Sequence, residues 1–326
     1  MNKNHLKKLI SAAVLGMVVL TGCGVNDAAP QEETAEPLRV GMLRVDDSFP
    51  FYVAEKEGLF EKHNVNVELK EFSNARDQST ALQGGELDVL MTDPVVTALS
   101  IKGGTDIRIV AMALGAVPEE GRFMVVSAPE SGITAPEQLA GKKIAISTNT
   151  MMDYLVEQYE TVLGLDKAAI DTVNMPDLML RATTLLEGKD IDAAILPDPL
   201  ASFAVMNGAN VVIDDTQLDV NLSQSVIAIT EEAITGNEGQ VAALMDAYKE
   251  AIEMINQNPE AYRDYALECT NVPEGVTESY KTPTFTANSI PSQADIAQIN
   301  DWMVERGLLE EAYGYEEMVD NSFVVD

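Results

Sequence analysis

Two stretches of this chain repeat one another, and no other feature constrains its fold so strongly. Gly84-Gly85-Glu86-Leu87-Asp88 leads through an apolar run to Asp93-Pro94, and Gly188-Lys189-Asp190-Ile191-Asp192 leads the same way to Asp198-Pro199, with one extra residue in the second copy. Each copy reads as a glycine-ended helix, a buried strand, and an Asp that caps a helix beginning at Pro. One supersecondary unit used twice predicts two similar lobes. Open α/β sheets place ligands at the carboxyl ends of their strands, where both aspartates fall. Asp93 and Asp198 are therefore candidates for solute contact as well as helix caps.

The surrounding pattern agrees. Strand periodicity covers Leu38–Leu43, Val65–Leu69, Leu87–Met91 and Ile107–Ala113, with helical stretches Pro50–Phe60, Arg76–Leu82 and Pro94–Ile101 between them. The alternation restarts after Pro129. Strands at Lys143–Ile146, Ile170–Val173, Asp192–Ile195 and Val211–Ile213 enclose helices at Met151–Leu163, Leu178–Glu187 and Leu200–Met206. Strands alternating with helices argue for parallel, doubly wound sheets. Beyond them Gln240–Gln257 carries Val241, Leu244, Met245, Tyr248, Ile252 and Ile255 at helical spacing, Asn258-Pro259 opens another helix, and Ser292 caps a third.

The N-terminus reads as an address. Lys3, Lys7 and Lys8 precede the apolar run Leu9–Leu20, which is too short for a spanning helix of about 20 residues. Residues 1–22 thus read as a signal peptide. Leu20-Thr21-Gly22-Cys23 resembles a lipobox, in which the small Gly22 admits a peptidase and Cys23 receives the lipid; the alternative is an ordinary secretory signal with a chance cysteine. Residues 23–37, with Asp27, Glu32, Glu33, Glu36, Pro30 and Pro37, are expected to be a disordered tether. The expected location is extracytoplasmic, lipid-anchored at the cell membrane. The remainder, Leu38 to Asp326, is long for a single core and suits two domains.

Composition excludes more than it assigns. Without residues 1–22 the chain has 18 basic and 53 acidic residues, so a nucleic-acid partner is not expected. Once Cys23 carries lipid, Cys269 has no disulfide partner. His63 is the only histidine after the signal, in a polar stretch better suited to a surface imidazole than to a catalytic triad. There is no zinc spacing, and neither a metal nor a cofactor is expected.

The richest stretch runs Arg44-Val45-Asp46-Asp47-Ser48-Phe49-Pro50-Phe51-Tyr52-Val53-Ala54-Glu55-Lys56-Glu57-Gly58-Leu59-Phe60. With Val65-Asn66-Val67-Glu68, Ala81-Leu82-Gln83-Gly84-Gly85-Glu86-Leu87-Asp88-Val89, Ser131-Gly132-Ile133, Pro136-Glu137-Gln138-Leu139 and Gly141-Lys142-Lys143-Ile144-Ala145, it resembles ABC-transporter solute-binding proteins of the nitrate, taurine and thiamine-pyrimidine branch. The resemblance covers most of Leu38 to Ala204. It implies an α/β, type II periplasmic-binding-protein fold: two doubly wound lobes joined by two crossing strands, with the ligand cleft between. By analogy the crossings are Phe123–Ser127 and Ser225–Ile229, so lobe one is 38–127 plus 225–326 and lobe two is 128–224.

The same resemblance places a rim of lobe one at Arg44 to Phe51, which includes Asp47, Ser48, Phe49 and Phe51, with Thr92 and Asp93 beside it. Ser147, Thr148 and Asn149 stand at a lobe-two helix start, with Asn174 and Asp198 nearby. Read physically, Ser147 to Asn149 offers hydroxyls, an amide and backbone N–H groups that suit an anionic or polar group, or simple capping. Phe49, Phe51 and Tyr52 suit stacking on a planar ligand or packing in a core. Arg44, Arg76 and Arg122 suit a sulfonate or carboxylate clamp or a solvated surface. Met151-Met152 reads as helix core.

These materials favour a binding receptor over an enzyme: a concave site with a few polar groups is present, whereas a positioned nucleophile, acid or metal is not. An enzymatic branch similar to this family uses histidine and a cysteine-rich motif that this chain lacks. The expected role is a monomeric importer receptor that closes on a small organic solute and hands it to a permease and its ATPase. A heteroaromatic, thiamine-pyrimidine-like solute is preferred. A small anion such as sulfonate or nitrate, a signalling receptor and a carboxylate-based enzyme are the alternatives.

Overall fold

The computed structural model describes residues 36–324 except 121–122, 167–168, 271 and 279. The signal segment, Cys23, nearly all of the tether and Arg122 lie outside the described residues. The first series is β1 (Leu38–Leu43), α1 (Phe49–Lys56), α2 (Leu59–Lys62), β2 (Val67–Phe72), α3 (Ala75–Gln83), β3 (Val89–Thr92), α4 (Pro94–Lys102) and β4 (Ile107–Leu114). The second is β5 (Phe123–Ser127), β6 (Lys143–Ile146), α5 (Met151–Val162), β7 (Asp171–Asn174), α6 (Leu178–Glu187), β8 (Ala193–Pro197), α7 (Leu200–Met206) and β9 (Asn210–Asp214). The chain then returns through β10 (Ser225–Thr230) to α8 (Glu231–Gly236), α9 (Glu238–Gln257), α10 (Pro259–Cys269), α11 (Gln293–Glu305) and α12 (Tyr315–Met318). Among the described residues no helix is long and apolar enough to cross a membrane.

Two five-stranded sheets result, ordered β2-β1-β3-β10-β4 and β7-β6-β8-β5-β9. Neither is wholly parallel. β10 runs antiparallel between β3 and β4, and β5 runs antiparallel between β8 and β9. Each sheet therefore takes its fourth strand from a segment that arrives from the other series. The chain passes between the sheets after β4 and again after β9, and Asp215 ties these connections together. It accepts the N–H of Phe123 at 2.9 Å through Oδ1 and the hydroxyl of Ser223 through Oδ2.

The repeat seen in the sequence has a structural counterpart. Asp88 accepts the backbone N–H of Arg39 at 2.9 Å, and Asp192 accepts that of Lys143 at 2.9 Å, with a spacing of 49 residues in both cases. Each carboxylate thus pins the start of a parallel strand, β1 in one sheet and β6 in the other. Asp88 also holds the Arg39 guanidinium, at 2.7 Å and 2.8 Å. The two copies diverge at their ends. Asp93 caps α4 with Pro94 in the first turn, as expected, whereas the Asp198-Pro199 bond is cis and α7 begins one residue later at Leu200.

The apolar periodicity dictates the packing. Strand β1 and helices α1 and α9 bury Val40, Met42, Phe49, Phe51, Leu244, Tyr248 and Ile252 on one side of the first sheet. A second core joins α4 and α11 to α5, where Tyr154 meets Trp302 edge to face with ring centroids 5.4 Å apart. A third lies under α6 and α7. The expected helix Pro50–Phe60 is broken by Gly58, whose φ of 66° starts α2 separately.

Candidate functional site

The carboxyl ends of β1 and β3 face those of β6, β7 and β8 across a cleft with three adjoining chambers. An outer chamber of about 360 Å³ lies between α3 and the 147–150 turn, with Arg76, Ser147, Thr148, Asn149 and Asn174 on its walls. A middle one of about 90 Å³ shares Ser147 and Thr150 with it and adds Asp47, Thr92 and Asp93 from one side, Met151, Met152 and Arg181 from the other, and Phe123 and Ser225, which open β5 and β10, with Gln224 just before β10. The inner one, about 140 Å³, shares Asp47, Phe123 and Gln224 and adds Asp46, Glu119, Glu120, Asp198 and Lys281. Of the twelve residues that the family resemblance placed at the cleft, nine line these chambers or a neighbouring cavity: Arg44, Asp47, Thr92, Asp93, Ser147, Thr148, Asn149, Asn174 and Asp198.

Three do not. Phe49 and Phe51 are 0 % exposed, packed against Tyr265 and Tyr248 at 6.2 Å and 4.7 Å between centroids, so their rings belong to the core and offer no stacking face. Ser48 is also wholly buried, and its hydroxyl meets no hydrogen-bond partner. Proline at the second position of α1 starts the helix early and turns these side chains inward with the apolar stripe. Tyr52 is buried with them and donates its hydroxyl to Glu71 at 2.8 Å.

Arg44 is engaged elsewhere, whereas Arg76 reaches the cleft. Arg44 lines a separate cavity of about 280 Å³ and donates to the carbonyls of Cys269 at 2.9 Å and Glu268 at 2.7 Å. Cys269 itself is buried, which pushes its thiol up to about 12. Arg76 stands exposed at the outer chamber.

The start of α5 differs from the expectation that it presents open N–H groups. Thr148 N donates to Asn174 Oδ1 at 3.2 Å, Asn149 N to Asp153 Oδ2 at 3.0 Å, Met151 N to Asp93 Oδ2 at 3.1 Å, and Met152 N to Thr150 Oγ1 at 3.2 Å. Asp153, a third-position acid typical of helix starts, and Asp93 from the facing sheet supply the negative charge that the helix dipole favours.

Arg181 was not marked by the sequence pattern. Its guanidinium is 0 % exposed, lines the middle chamber, and donates to Met175 O at 2.8 Å, Ile195 O at 2.9 Å, Pro176 O at 3.3 Å and Met152 Sδ at 2.8 Å. Burial pulls it down to about 9. A signal was available: Arg181 sits on the apolar face of α6 between Leu178 and Leu185, where a lone charge must be satisfied by partners. Gln224 and Phe123 carried no such signal.

The acids dominate the electrostatics. Burial, with the charges of Asp198 and Asp47, pushes Asp46 up to about 8, although Tyr280 donates its hydroxyl to Asp46 Oδ1 at 2.9 Å. Burial raises Asp47 to about 7 and Asp93 to about 6, the latter restrained by the N–H groups of Val96 and Met151. Among the described residues no three His, Cys, Asp or Glu side chains converge as a metal site.

The family model described as "NMT1/THI5 like" matches residues 46–262, a span that contains both sheets' central strands and most of the cleft lining. The chain belongs to this NMT1/THI5-like family. Relatives within reach are diverse. A putative aliphatic sulfonates-binding protein of Bacillus subtilis is 22 % identical, with 98 % of this chain and 96 % of the relative covered. A putative ABC transporter periplasmic binding protein of Brachyspira hyodysenteriae is 23 % identical over 79 % of this chain and 76 % of its own length. The crystal structure of the periplasmic aliphatic sulphonate binding protein SsuA from Escherichia coli superposes with a TM-score of 0.71 at 19 % identity, with 89 % of this chain and 94 % of that one covered. This structural likeness establishes the NMT1/THI5-like chain as a two-lobed α/β periplasmic-binding-protein fold.

Proposed function

We propose that this protein is the extracytoplasmic solute-binding component of an ABC importer, held to the membrane by lipid on Cys23, which captures a small organic solute between its lobes and delivers it to a permease served by an ATPase. The observation that carries this reading is the cleft itself. Its walls come from both sheets, it sits at the carboxyl ends of the parallel strands, and it holds polar atoms sealed from solvent and without partners, Asp47 Oδ1 and Gln224 Oε1. The names of the Bacillus and Brachyspira relatives support the same class. The cleft residues bind and enclose without chemistry on the solute, and the lobes swing about the connections that follow β4 and β9 as a monomer. A solute drives closure through contacts it makes better in the closed form.

For the solute we favour a heteroaromatic amine. Phe123 is half-buried on two chambers and offers a ring face, and Asp47 and Gln224 offer acceptors to ring amino groups. The second reading, a small anion such as sulfonate or nitrate, draws on Arg76 beside Ser147 to Asn149 in the outer chamber and on the name of the Bacillus relative. A thermal-shift screen of the purified protein against aminopyrimidines, alkanesulfonates and nitrate separates them, because a ligand at 100 times its dissociation constant stabilises by about 2.7 kcal/mol. Stabilisation by an aminopyrimidine alone is the expected result; solute recovered chemically altered overturns the receptor reading.

A further inference from the structure

Two acceptor atoms on the wall of the inner chamber meet no donor from the protein. Asp47 Oδ1 and Gln224 Oε1 both line it and both are sealed from solvent, although the Ser225 hydroxyl and the Ser48 N–H do serve the Asp47 carboxyl as a whole. Gln224 as a residue is 5 % exposed, so solvent does not supply the missing partner. Asp46 stands on the same wall, and the only described cation lining the chamber is Lys281. An acceptor buried without a donor costs about 1–3 kcal/mol, and more when charged, so a matching donor that enters recovers this.

Arg76 on the outer chamber and Lys281 are cationic, but the anion-binding groups at the start of α5 and on α6 are engaged. The N–H groups of Thr148, Asn149 and Met151 at the start of α5 are accepted by Asn174, Asp153 and Asp93. The Arg181 guanidinium gives four of its five donors to three carbonyls and a thioether. Asp93 in effect fills the place that an anion's oxygen would take at the helix end.

We propose that the inner chamber is a subsite for the cationic, N–H-bearing end of the solute, an ammonium, amidinium or protonated amino-heterocycle, that Asp47 and Gln224 select it, and that Asp93 turns anions away. This rests on the reading of the cleft as the solute site and adds the charge of the solute to it. Phe123, shared by the inner and middle chambers, then flanks the body of the solute.

The test uses three probes of one ring size: benzamidine, neutral benzamide and benzenesulfonate. Each is titrated calorimetrically into the purified protein at about pH 8, where Asp47 is ionised. Benzamidine is expected to bind at least about tenfold more tightly than benzamide, as a charge-assisted hydrogen bond requires, and benzenesulfonate not at all. Asp47→Asn and Gln224→Leu should each reduce benzamidine affinity about tenfold with the melting temperature nearly kept, and Asp93→Asn should admit benzenesulfonate. Equal binding of benzamide, binding of benzenesulfonate by the wild type, or no binding of benzamidine overturns the charge selection while the screen above still judges the importer reading. Stabilisation by calcium chloride that disappears in Asp47→Asn would mark a metal site and overturn it as well.

Discussion

Asp93 on the first sheet accepts the backbone N–H of Met151 at the start of α5, across the cleft, at 3.1 Å through Oδ2, while its Oδ1 accepts that of Val96 in its own helix α4 at 2.8 Å. One carboxylate therefore closes the ends of two helices that belong to different sheets. Both helix dipoles present their positive ends to it, and burial raises its pKa only to about 6, against about 8 for Asp46.

This bridge should hold the lobes together. Asp93→Asn retains an oxygen to cap Val96 but loses the charge and the second acceptor, so X-ray scattering of the solute-free variant should give a larger radius of gyration with little change in melting temperature. Asp93→Ala loses the cap too and should cost about 1 kcal/mol more in urea unfolding. Identical scattering for wild type and both variants would remove the bridge from any role in closure.

The two connections between the sheets meet at Gly115. With φ at 90°, a Cβ there would lie 2.0 Å from the carbonyl oxygen of Ser223, and the Gly115 carbonyl accepts Asn221 Nδ2 at 2.7 Å. Gly115→Ala should therefore destabilise by about 2–4 kcal/mol through strain and forced separation of the backbones. Gly132→Ala, at φ 70° with nothing within 4 Å of the added carbon, is the control and should cost about 1 kcal/mol. Equal denaturation midpoints for the two variants would contradict this.

Arg181→Met keeps the length of the side chain and removes every donor from Met175, Pro176 and Ile195, whose carbonyls are left in the interior. A loss of about 3 kcal/mol or more is expected in chemical denaturation. Because the protein engages four of the five guanidinium donors, anion affinity should fall little further than the loss of fold explains.

Acid pH should stabilise the apo protein. Folded Asp46, Asp47 and Asp93 keep their protons to about pH 8, 7 and 6, whereas unfolded aspartates release them near about 3.9. The stability they contribute is full below the unfolded pKa and is lost as pH rises through the folded values. Asp88 runs the other way: burial opposes ionisation, but the hydrogen bonds of Arg39 outweigh it and hold the carboxyl below its usual range, so its contribution is lost only in stronger acid. The melting temperature should be higher at about pH 5.5 than at about pH 8.5, and Asp47→Asn should narrow the gap. A flat profile would contradict the burial of these charges.

Cys23 can be tested without the fold. Metabolic labelling should place an acyl chain on the wild type and none on Cys23→Ser, and an unlabelled wild type would exclude the anchor.

What the amino-acid order determined by itself is local and periodic. Alternating apolar stretches and the duplicated glycine–strand–Asp-Pro unit were enough for two α/β lobes and for a cleft at the strand ends, because strand, turn and cap chemistry act within a few residues. The same logic marked Asp93, just beyond the end of β3, whereas Ser147 and Asn174 were placed by the family resemblance. Tertiary structure decided the rest. Whether Phe49 and Phe51 face a solute or Tyr248 and Tyr265 depends on how α1 packs on α9 and α10, which lie about 200 residues later in the chain, a separation no local pattern encodes. Likewise β5 and β10 are ordinary apolar strands until each is inserted antiparallel into a sheet, and only that insertion brings Gln224 and Phe123 to the cleft. Asp93 reads as a cap in one dimension; it becomes a bridge because the folded chain carries Met151 to within hydrogen-bonding distance of it.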